Sequence, residues 1–173
     1  IEAIAAALRR MRALERLELD VCGNSLPAAD AALLGRALAS ALDRCVSLRT
    51  LCISVDPGRA ASPPHAELIA CALVDAASRV ASVQSLSVSV SPDAGIGDGV
   101  AERIAGAVWS ARLRLTSMSL DIAGCNVSPA AMANLASAVG MCTSLGRLVL
   151  SVERNALGDA AAAGLSKALG ALQ

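Results

Sequence analysis

Aromatic side chains are almost absent from this chain of 173 residues. Trp109 is the one aromatic residue, with no phenylalanine and no tyrosine. The core must therefore be aliphatic, which fits a composition that is 55% hydrophobic. The scarcity also removes the stacking platforms of proteins that bind single-stranded nucleic acid and the aromatic anchors common in protein interfaces.

Net charge is lacking as well. Lysine and arginine together number 15, as do aspartate and glutamate, and Lys167 is the only lysine. A balanced chain has no overall attraction to nucleic acid or to anionic membranes. We therefore expect no nucleic-acid partner, while a local, peripheral contact with a membrane stays open.

Long hydrophobic runs are missing. The most apolar stretch, Ala66 to Val80, is interrupted by three charged residues, so we expect no transmembrane segment. The chain has no initiator methionine and no charged leader, and Ile1 opens directly into a helical pattern. We expect residues 1–13 to be the helix of a preceding partial repeat in a longer or processed protein.

Groups that could carry catalysis are few. A cysteine nucleophile needs a neighbouring base, but the only histidine, His65, is predicted at a helix start, far from Cys52 on a strand. Asp20, Asp56 and Asp121 fall on different predicted strands, which argues against a pair of catalytic carboxylates. We therefore predict no enzymatic activity, no catalytic residues, no cofactor and no metal.

One apolar template occurs five times, in segments that start near residues 14, 48, 83, 115 and 145. Each segment alternates apolar and polar residues, as in Leu14-x-x-Leu17-x-Leu19-x-Val21, and this period indicates a strand. A turn-rich segment and then an alanine- and leucine-rich helical pattern follow each template. Strand, loop and helix in repetition predict a parallel sheet with helices on one face. No single repeat can bury its own apolar face.

Four residues are candidate caps for these helices. Ser62 and Ser128 each precede a proline, which is the pattern of a capping hydroxyl before the first helical position. Asp98 and Asp159 are candidate caps of the third and fifth helices. The glycines around Asp98 superficially resemble a phosphate-binding loop, but they lack the complete glycine-rich motif. A similar sequence recurs before Asp159, so we interpret them as a turn of the repeat.

Trp109 falls on the third helix. We expect it to pack between helices; the alternative is a single exposed anchor for a protein partner on the helical side.

The six cysteines contain no CxxC pair. Cys45 and Cys142 occupy one repeat position, which Met11, Val80 and Arg112 fill in the other repeats. Because Met and Val share this position, these thiols are expected in the core. This argues against a disulfide framework or a zinc site and favours an intracellular compartment, either cytoplasm or an organelle.

The strings LERLELDVCGNSL, LTSMSLDIAGCNV and LGRLVLSVERNALGD resemble leucine-rich repeats of the ribonuclease-inhibitor-like subclass, in a long-strand variant. Asn24 and Asn155 follow the last strand leucine by five residues instead of three, so the strand is expected to end at Val21 or Val152. Asn126 sits one place later still. The resemblance implies one α/β solenoid domain over residues 1–173, with about five repeats, a concave parallel sheet and convex helices.

The polar strand positions would then line the concave face and form a shallow, mildly acidic surface for a protein segment. The alternative is that these residues are tolerated on an exposed sheet and bind nothing. The candidate residues are Arg16, Glu18, Asp20, Thr50, Ser54, Asp56, Ser85, Ser87, Ser89, Ser117, Ser119, Asp121, Arg147, Ser151 and Glu153.

Five arginines near predicted helix ends share one rim: Arg12, Arg44, Arg79, Arg112 and Arg114. Complementing the helix dipoles explains them. The alternative is docking on an acidic protein, on anionic lipid headgroups or on RNA, and the lack of aromatic stacking platforms argues against RNA.

These patterns favour a non-enzymatic protein-interaction scaffold or a structural subunit of a larger complex. The alternative is a regulator of another enzyme, such as a GTPase-activating protein, as some ribonuclease-inhibitor-like repeats are. That role needs a polar group on a loop, and the loop arginines Arg59 and Arg154 are its candidates.

Overall fold

A computed structural model describes residues 13–24, 28–56, 82–91 and 97–171, together with isolated positions outside these ranges. These residues contain five strands and four helices. The strands are β1 (Arg16–Asp20), β2 (Thr50–Val55), β3 (Ser85–Val90), β4 (Ser117–Asp121) and β5 (Arg147–Ser151). The helices are α1 (Ala28–Leu42), α2 (Gly97–Ala111), α3 (Pro129–Gly140) and α4 (Gly158–Gly170).

The five strands form one parallel sheet in sequence order, β1-β2-β3-β4-β5. Equivalent template positions are direct neighbours across the sheet, so that Leu17, Leu51, Leu86, Met118 and Leu148 form one row. The predicted parallel α/β arrangement is therefore confirmed, and the five segments are in a single register.

The apolar strand positions face the helices. Leu51, Ile53 and Leu120 are fully buried and belong to the same core cluster as Leu38 of α1 and Ile104 of α2. No polar or charged residue is buried in the described part of the chain. The core is aliphatic, as expected, and each fully buried side chain contributes roughly 1.5–3 kcal/mol to folding.

The hydrogen-bond ladder continues past the strand ends. The backbone N–H of Val21 donates to the carbonyl of Ser54 and that of Ile122 to the carbonyl of Ser151, both at 3.0 Å. The sheet thus extends at least one residue beyond β1 and β4, in the direction that the long template predicted.

Two predicted helices lie mainly outside the described residues. Positions 3, 6 and 7 are helical, as are 71, 74, 75 and 78. These positions agree with the helix predicted over 1–13 and with the second helix, whereas the predicted cap Ser62 is not among the described residues.

The predicted helix caps have mixed outcomes. Ser128 is confirmed as the cap of α3, since its side chain accepts a hydrogen bond from the N–H of Ala131 at 3.3 Å and Pro129 begins the helix. Asp98 and Asp159 are wrong as caps, because each lies inside the first turn of its helix. Leu157 precedes α4 without a side-chain cap.

Cysteine packing is confirmed, and the expected packing of Trp109 is wrong. Cys45 and Cys142 are buried, and burial raises the pKa of both thiols. Trp109 is 47% exposed near the end of α2, because its position faces away from the core that Val108 enters. Among the described residues, no helix is both long and apolar enough to span a bilayer.

Candidate functional site

The face of the sheet opposite the helices carries most of the predicted binding residues in three rows. The rows are Arg16, Thr50, Ser85, Ser117 and Arg147; Glu18, Cys52, Ser87, Ser119 and Val149; and Asp20, Ser54, Ser89, Asp121 and Ser151. With strands about 4.8 Å apart, each row spans roughly 20 Å. We call these residues the polar face.

Two predicted members lie outside the rows. Asp56 follows the end of β2, and Glu153 lies two residues beyond the end of β5. Each belongs to a turn at the edge of the polar face.

Serines occupy the centre of the polar face. Ser54, Ser85, Ser87, Ser89, Ser117, Ser119 and Ser151 are half-buried. Within the described part of the chain, their hydroxyls make no side-chain hydrogen bond. A hydroxyl is both a donor and an acceptor, so the centre offers a regular array of hydrogen-bonding groups that another chain could use.

Two of the three charged residues of β1, Arg16 and Glu18, pair with each other. The Nε atom of Arg16 donates to Oε1 of Glu18 at 2.7 Å, and both side chains are exposed. Exposed ion pairs of this kind add little to stability. The pair cancels its own charge, so the β1 edge of the polar face keeps the negative charge of Asp20.

Asp20 and Asp121 hold the turns that follow their strands. Oδ1 of Asp20 accepts from the N–H of Cys22 at 2.9 Å, and Oδ1 of Asp121 accepts from the N–H of Ala123 at 3.3 Å. Hydrogen bonds from the Cys22 thiol and backbone N–H lower the pKa of Asp20. These contacts give both aspartates a structural role in addition to their place on the face.

The register also separates these two carboxylates. Ser54 and Ser89 lie between Asp20 and Asp121 in their row, which puts the aspartates about 14 Å apart. A paired-acid reaction needs much shorter separations, so the geometry argues against these two as partners.

Asn155 ties the last two strand ends together, a role that the polar-face prediction missed. Its Nδ2 donates to the carbonyls of Ile122 (2.8 Å) and Val152 (2.9 Å), and its Oδ1 accepts from the N–H of Val127 at 3.0 Å. In the sequence, this role is indicated only by the position of Asn155, five residues after Leu150.

The equivalent position one repeat earlier is Cys125, not Asn126. Cys125 is buried, and its Sγ lies 3.6 Å from the carbonyl of Val90, which corresponds in register to Ile122. Burial raises the pKa of this thiol to about 11. Asn126 is exposed and has a φ of 59°.

The residue before this position adopts a left-handed conformation in three repeats. Gly23 and Gly124 have φ values of 69° and 65°, but the third is Arg154, with a φ of 58°. Left-handed geometry costs a residue with a side chain of the order of 1–2 kcal/mol. Arg154, the loop arginine proposed for an enzyme regulator, is thus held in a strained position. Arg59, the other, lies outside the described residues.

We define the basic rim as the turns that enter the strands: residues 13–16, 43–50, 82–85, 109–117 and 141–147. Its charged residues are Arg16, Arg44, Arg49, Arg112, Arg114 and Arg147, with Glu15 and Asp43. The predicted rim placement is confirmed for Arg44, Arg112 and Arg114, while Arg12 and Arg79 are outside the described residues.

Helix complementation is visible at the end of α2. Nη1 of Arg112 donates to the carbonyl of Trp109 at 2.8 Å, and Nη2 of Arg114 donates to that of Ser110 at 3.3 Å. Cations at helix C-termini are favourable, so this part of the arginine pattern has a structural explanation.

We define the acidic rim as the turns that leave the strands: residues 20–24, 55–56, 90–91, 97–98, 121–129 and 151–159. Its charged residues are Asp20, Asp56, Asp98, Asp121, Glu153 and Asp159, with Arg154. Oδ1 of Asp98 accepts from the N–H of Ser128 at 2.6 Å, so it connects the starts of α2 and α3. That contact lowers the pKa of Asp98.

An open groove of about 360 Å³ lies between the ends of α3 and α4, lined by small residues such as Ala133, Gly140 and Ala168 together with Met141 and Lys167. No cluster of three or more metal-ligating side chains occurs among the residues that the structure describes. His65 lies outside those residues.

The chain matches no protein-family model, and no curated protein resembles it significantly.

Proposed function

We propose that the chain is a leucine-rich repeat solenoid of the ribonuclease-inhibitor-like kind. Support comes from the five templates aligned in one parallel sheet and from Asn155 and Cys125, which bridge successive strand ends at the same register position. The leucine-rich repeat pattern has asparagine or cysteine after the strand, and here that residue comes two places later, as the longer strand requires.

We further propose that the protein is a non-enzymatic scaffold or complex subunit that holds a protein segment on the polar face. The supporting observation is the central array of seven serines, whose hydroxyls are accessible and unpaired within the described residues. An extended segment could exchange hydrogen bonds with these rows over roughly 20 Å. Without aromatic anchors on the face, affinity would depend on many small contacts.

Substitution at the centre of the polar face tests this proposal. Ser87 and Ser119 are neighbours across β3 and β4, and Ser87→Arg with Ser119→Arg would fill the face without entering the core. Ser137→Arg, at an exposed position of α3, is the matched control. We expect a stoichiometric partner that co-purifies with the wild type and the control to be lost from the double variant.

If the double variant folds and retains its partner, the polar face is not the binding surface. Circular dichroism and thermal unfolding establish folding, so that loss of structure is not mistaken for loss of binding.

A second candidate, regulation of another enzyme, rests on Arg154. An exposed arginine in a left-handed conformation that glycine occupies in two other repeats points to a requirement for the side chain. We expect Arg154→Ala and Arg154→Gly to abolish stimulation of a bound nucleotide hydrolase while binding persists. Unchanged turnover by the complex with either variant would exclude this role.

A further inference from the structure

Exposed apolar side chains gather on the basic rim. Among the described residues, the large hydrophobic side chains that are exposed include Val46 at 79%, Leu113 at 66%, Trp109 and Met141. Val46, Leu113 and Met141 lie in turns of the basic rim and Trp109 lies in the last turn of α2, whereas Val149 lies on the polar face and Leu169 near the end of α4. The helix dipole accounts for the rim arginines but not for these apolar neighbours.

Hydrogen bonds between successive turns hold this rim together. The hydroxyl of Ser82 donates to the carbonyl of Leu48 at 2.7 Å, that of Thr116 to Gln84 at 3.2 Å, and that of Ser144 to Leu113 at 3.4 Å. The turns therefore follow one another at the spacing of the strands. Val46, Leu113 and Met141 mark a row roughly 15 Å long.

Arginines flank the apolar side chains along this row. Arg44 lies two residues before Val46, and Leu113 lies between Arg112 and Arg114. The guanidinium of Arg112 lies over the Trp109 ring, 4.4 Å from its centroid. The rim thus offers cations and apolar groups together, although the whole chain is neutral.

We propose that the basic rim docks on an anionic membrane surface. Val46 and Leu113 would enter the interface while the arginines meet lipid phosphates and carboxylates. Separate protruding side chains suit a fluid surface, since a folded partner would need a matching pocket for each one. Tryptophan and arginine both suit the bilayer interface, where an apolar body and a polar tip are accommodated together.

The acidic groups of the rim are outnumbered, with six arginines against Glu15 and Asp43. Asp43 shares its turn with Arg44 and Val46, whereas the turns around Leu113 and Met141 contain no carboxylate. The acidic rim is at the other ends of the strands and would face away from the lipid. Exposed charges separated by more than about 10 Å are largely screened at 0.1 M salt, so the local charge of each rim governs its contacts.

Trp109 reports this contact directly, since it is the only aromatic residue in the chain. We would titrate the protein with phosphatidylcholine vesicles containing about 30% phosphatidylserine at low salt. We expect a blue shift of tryptophan emission, weaker quenching by acrylamide, and co-sedimentation that decreases at high salt. Vesicles of phosphatidylcholine alone are expected to bind far less.

Two pairs of substitutions separate the contribution of charge to vesicle binding from that of the apolar side chains. Arg44→Gln with Arg49→Gln removes two exposed rim cations, and Val46→Ser with Leu113→Ser removes two apolar tips. We expect each pair to weaken binding to anionic vesicles about tenfold or more. Val149→Ser and Arg154→Gln are the matched controls on the other surfaces and are expected to bind like the wild type.

Absence of vesicle binding at low salt would overturn the proposal, as would binding that both rim pairs leave unchanged. Binding of polyglutamate without vesicle binding would assign the rim to an acidic protein instead, which also overturns it. Thermal unfolding of each variant distinguishes lost contact from lost folding.

Discussion

Successive repeats are held together in different ways at the two rims of this sheet. The acidic rim is tied together by side chains: Asn155 and Asp98 each hold backbone groups of a neighbouring repeat. The basic rim relies on hydroxyls of its turns and on close backbone approach, while its large apolar side chains stay in solvent. The helix dipoles are complemented in part: α1, α2 and α4 have an aspartate in the first turn, and arginines follow the ends of α1 and α2.

This difference teaches which residues are committed to structure. A side chain that already makes several hydrogen bonds within the fold can bind a ligand only if those bonds are broken. Asn155 is committed in this sense, whereas Val46 is not. The stability lost in single variants measures that commitment.

Asn155→Ala is expected to lower the free energy of unfolding by about 2–3 kcal/mol, because partly buried backbone groups of Ile122, Val127 and Val152 lose their partner. Asn24→Ala is the control at the equivalent position of the first repeat, where Nδ2 donates only to the carbonyl of Cys22 at 3.1 Å. We expect less than about 1 kcal/mol there. Equal losses in urea unfolding would show that Asn155 is no more committed than Asn24.

Gly140→Ala tests the close approach at the basic-rim end of α3. A Cβ at Gly140 would lie 3.0 Å from Cα and 3.1 Å from Cβ of Ala168, so the backbone of α4 must shift. We expect a loss of about 1–2 kcal/mol. At Gly106 in α2 nothing lies within 4 Å, and Gly106→Ala should instead stabilise the protein by about 0.5–1 kcal/mol. Thermal unfolding of the pair measures the contrast; a neutral or stabilising Gly140→Ala contradicts it.

Asp98→Asn is expected to cost about 1 kcal/mol at neutral pH, a value at the lower end for a charged hydrogen bond because the carboxylate is exposed. The pKa of Asp98 is lowered in the folded state. Its stabilisation is therefore complete above the ordinary carboxyl range and disappears as the pH falls through the folded-state value.

Urea unfolding at several pH values checks this dependence. The difference between wild type and Asp98→Asn should shrink below about pH 4. A difference that persists unchanged at pH 2 would mean that the carboxylate charge is not the cause. Asp159→Asn, in the first turn of α4, is the control, because Asp159 makes no side-chain hydrogen bond to a neighbouring repeat among the described residues.

Arg154→Gly is expected to stabilise the fold by about 0.5–1 kcal/mol, since glycine accepts the left-handed conformation without strain but is more flexible when unfolded. The reciprocal variant Gly124→Arg should destabilise it by a similar amount. If Arg154→Gly is instead destabilising, the arginine side chain has a structural role that its exposed position does not reveal.

The sequence predicted the strands and their order well. The alternation in each template identified all five strands, and the period predicted the parallel neighbours. The serines of the polar face were predicted from the alternate positions of the strands. Ser128 before proline identified one helix start correctly because its capping contact is local, within three residues.

Contacts between repeats could not be predicted in the same way. Asp98 resembles a cap in sequence but bonds the backbone of Ser128, thirty positions away. Cys125 resembles a core cysteine but takes the place that Asn155 fills in the next repeat. Trp109 was expected inside and is half-exposed. Alanines are common on several sides of α2, so the sequence pattern did not show which side of this helix faces the core.

By itself, the sequence determined which residues alternate into the core, because the period of two is a local property of a strand. It also determined that the core is aliphatic, because Trp109 is the only aromatic residue in the chain. The tertiary structure decided which polar groups bond across repeats and that carboxylates line the rim opposite the arginines, whose shared rim the sequence had already predicted. Those features depend on distances between segments some thirty residues apart, and such distances exist only once the strands stand side by side.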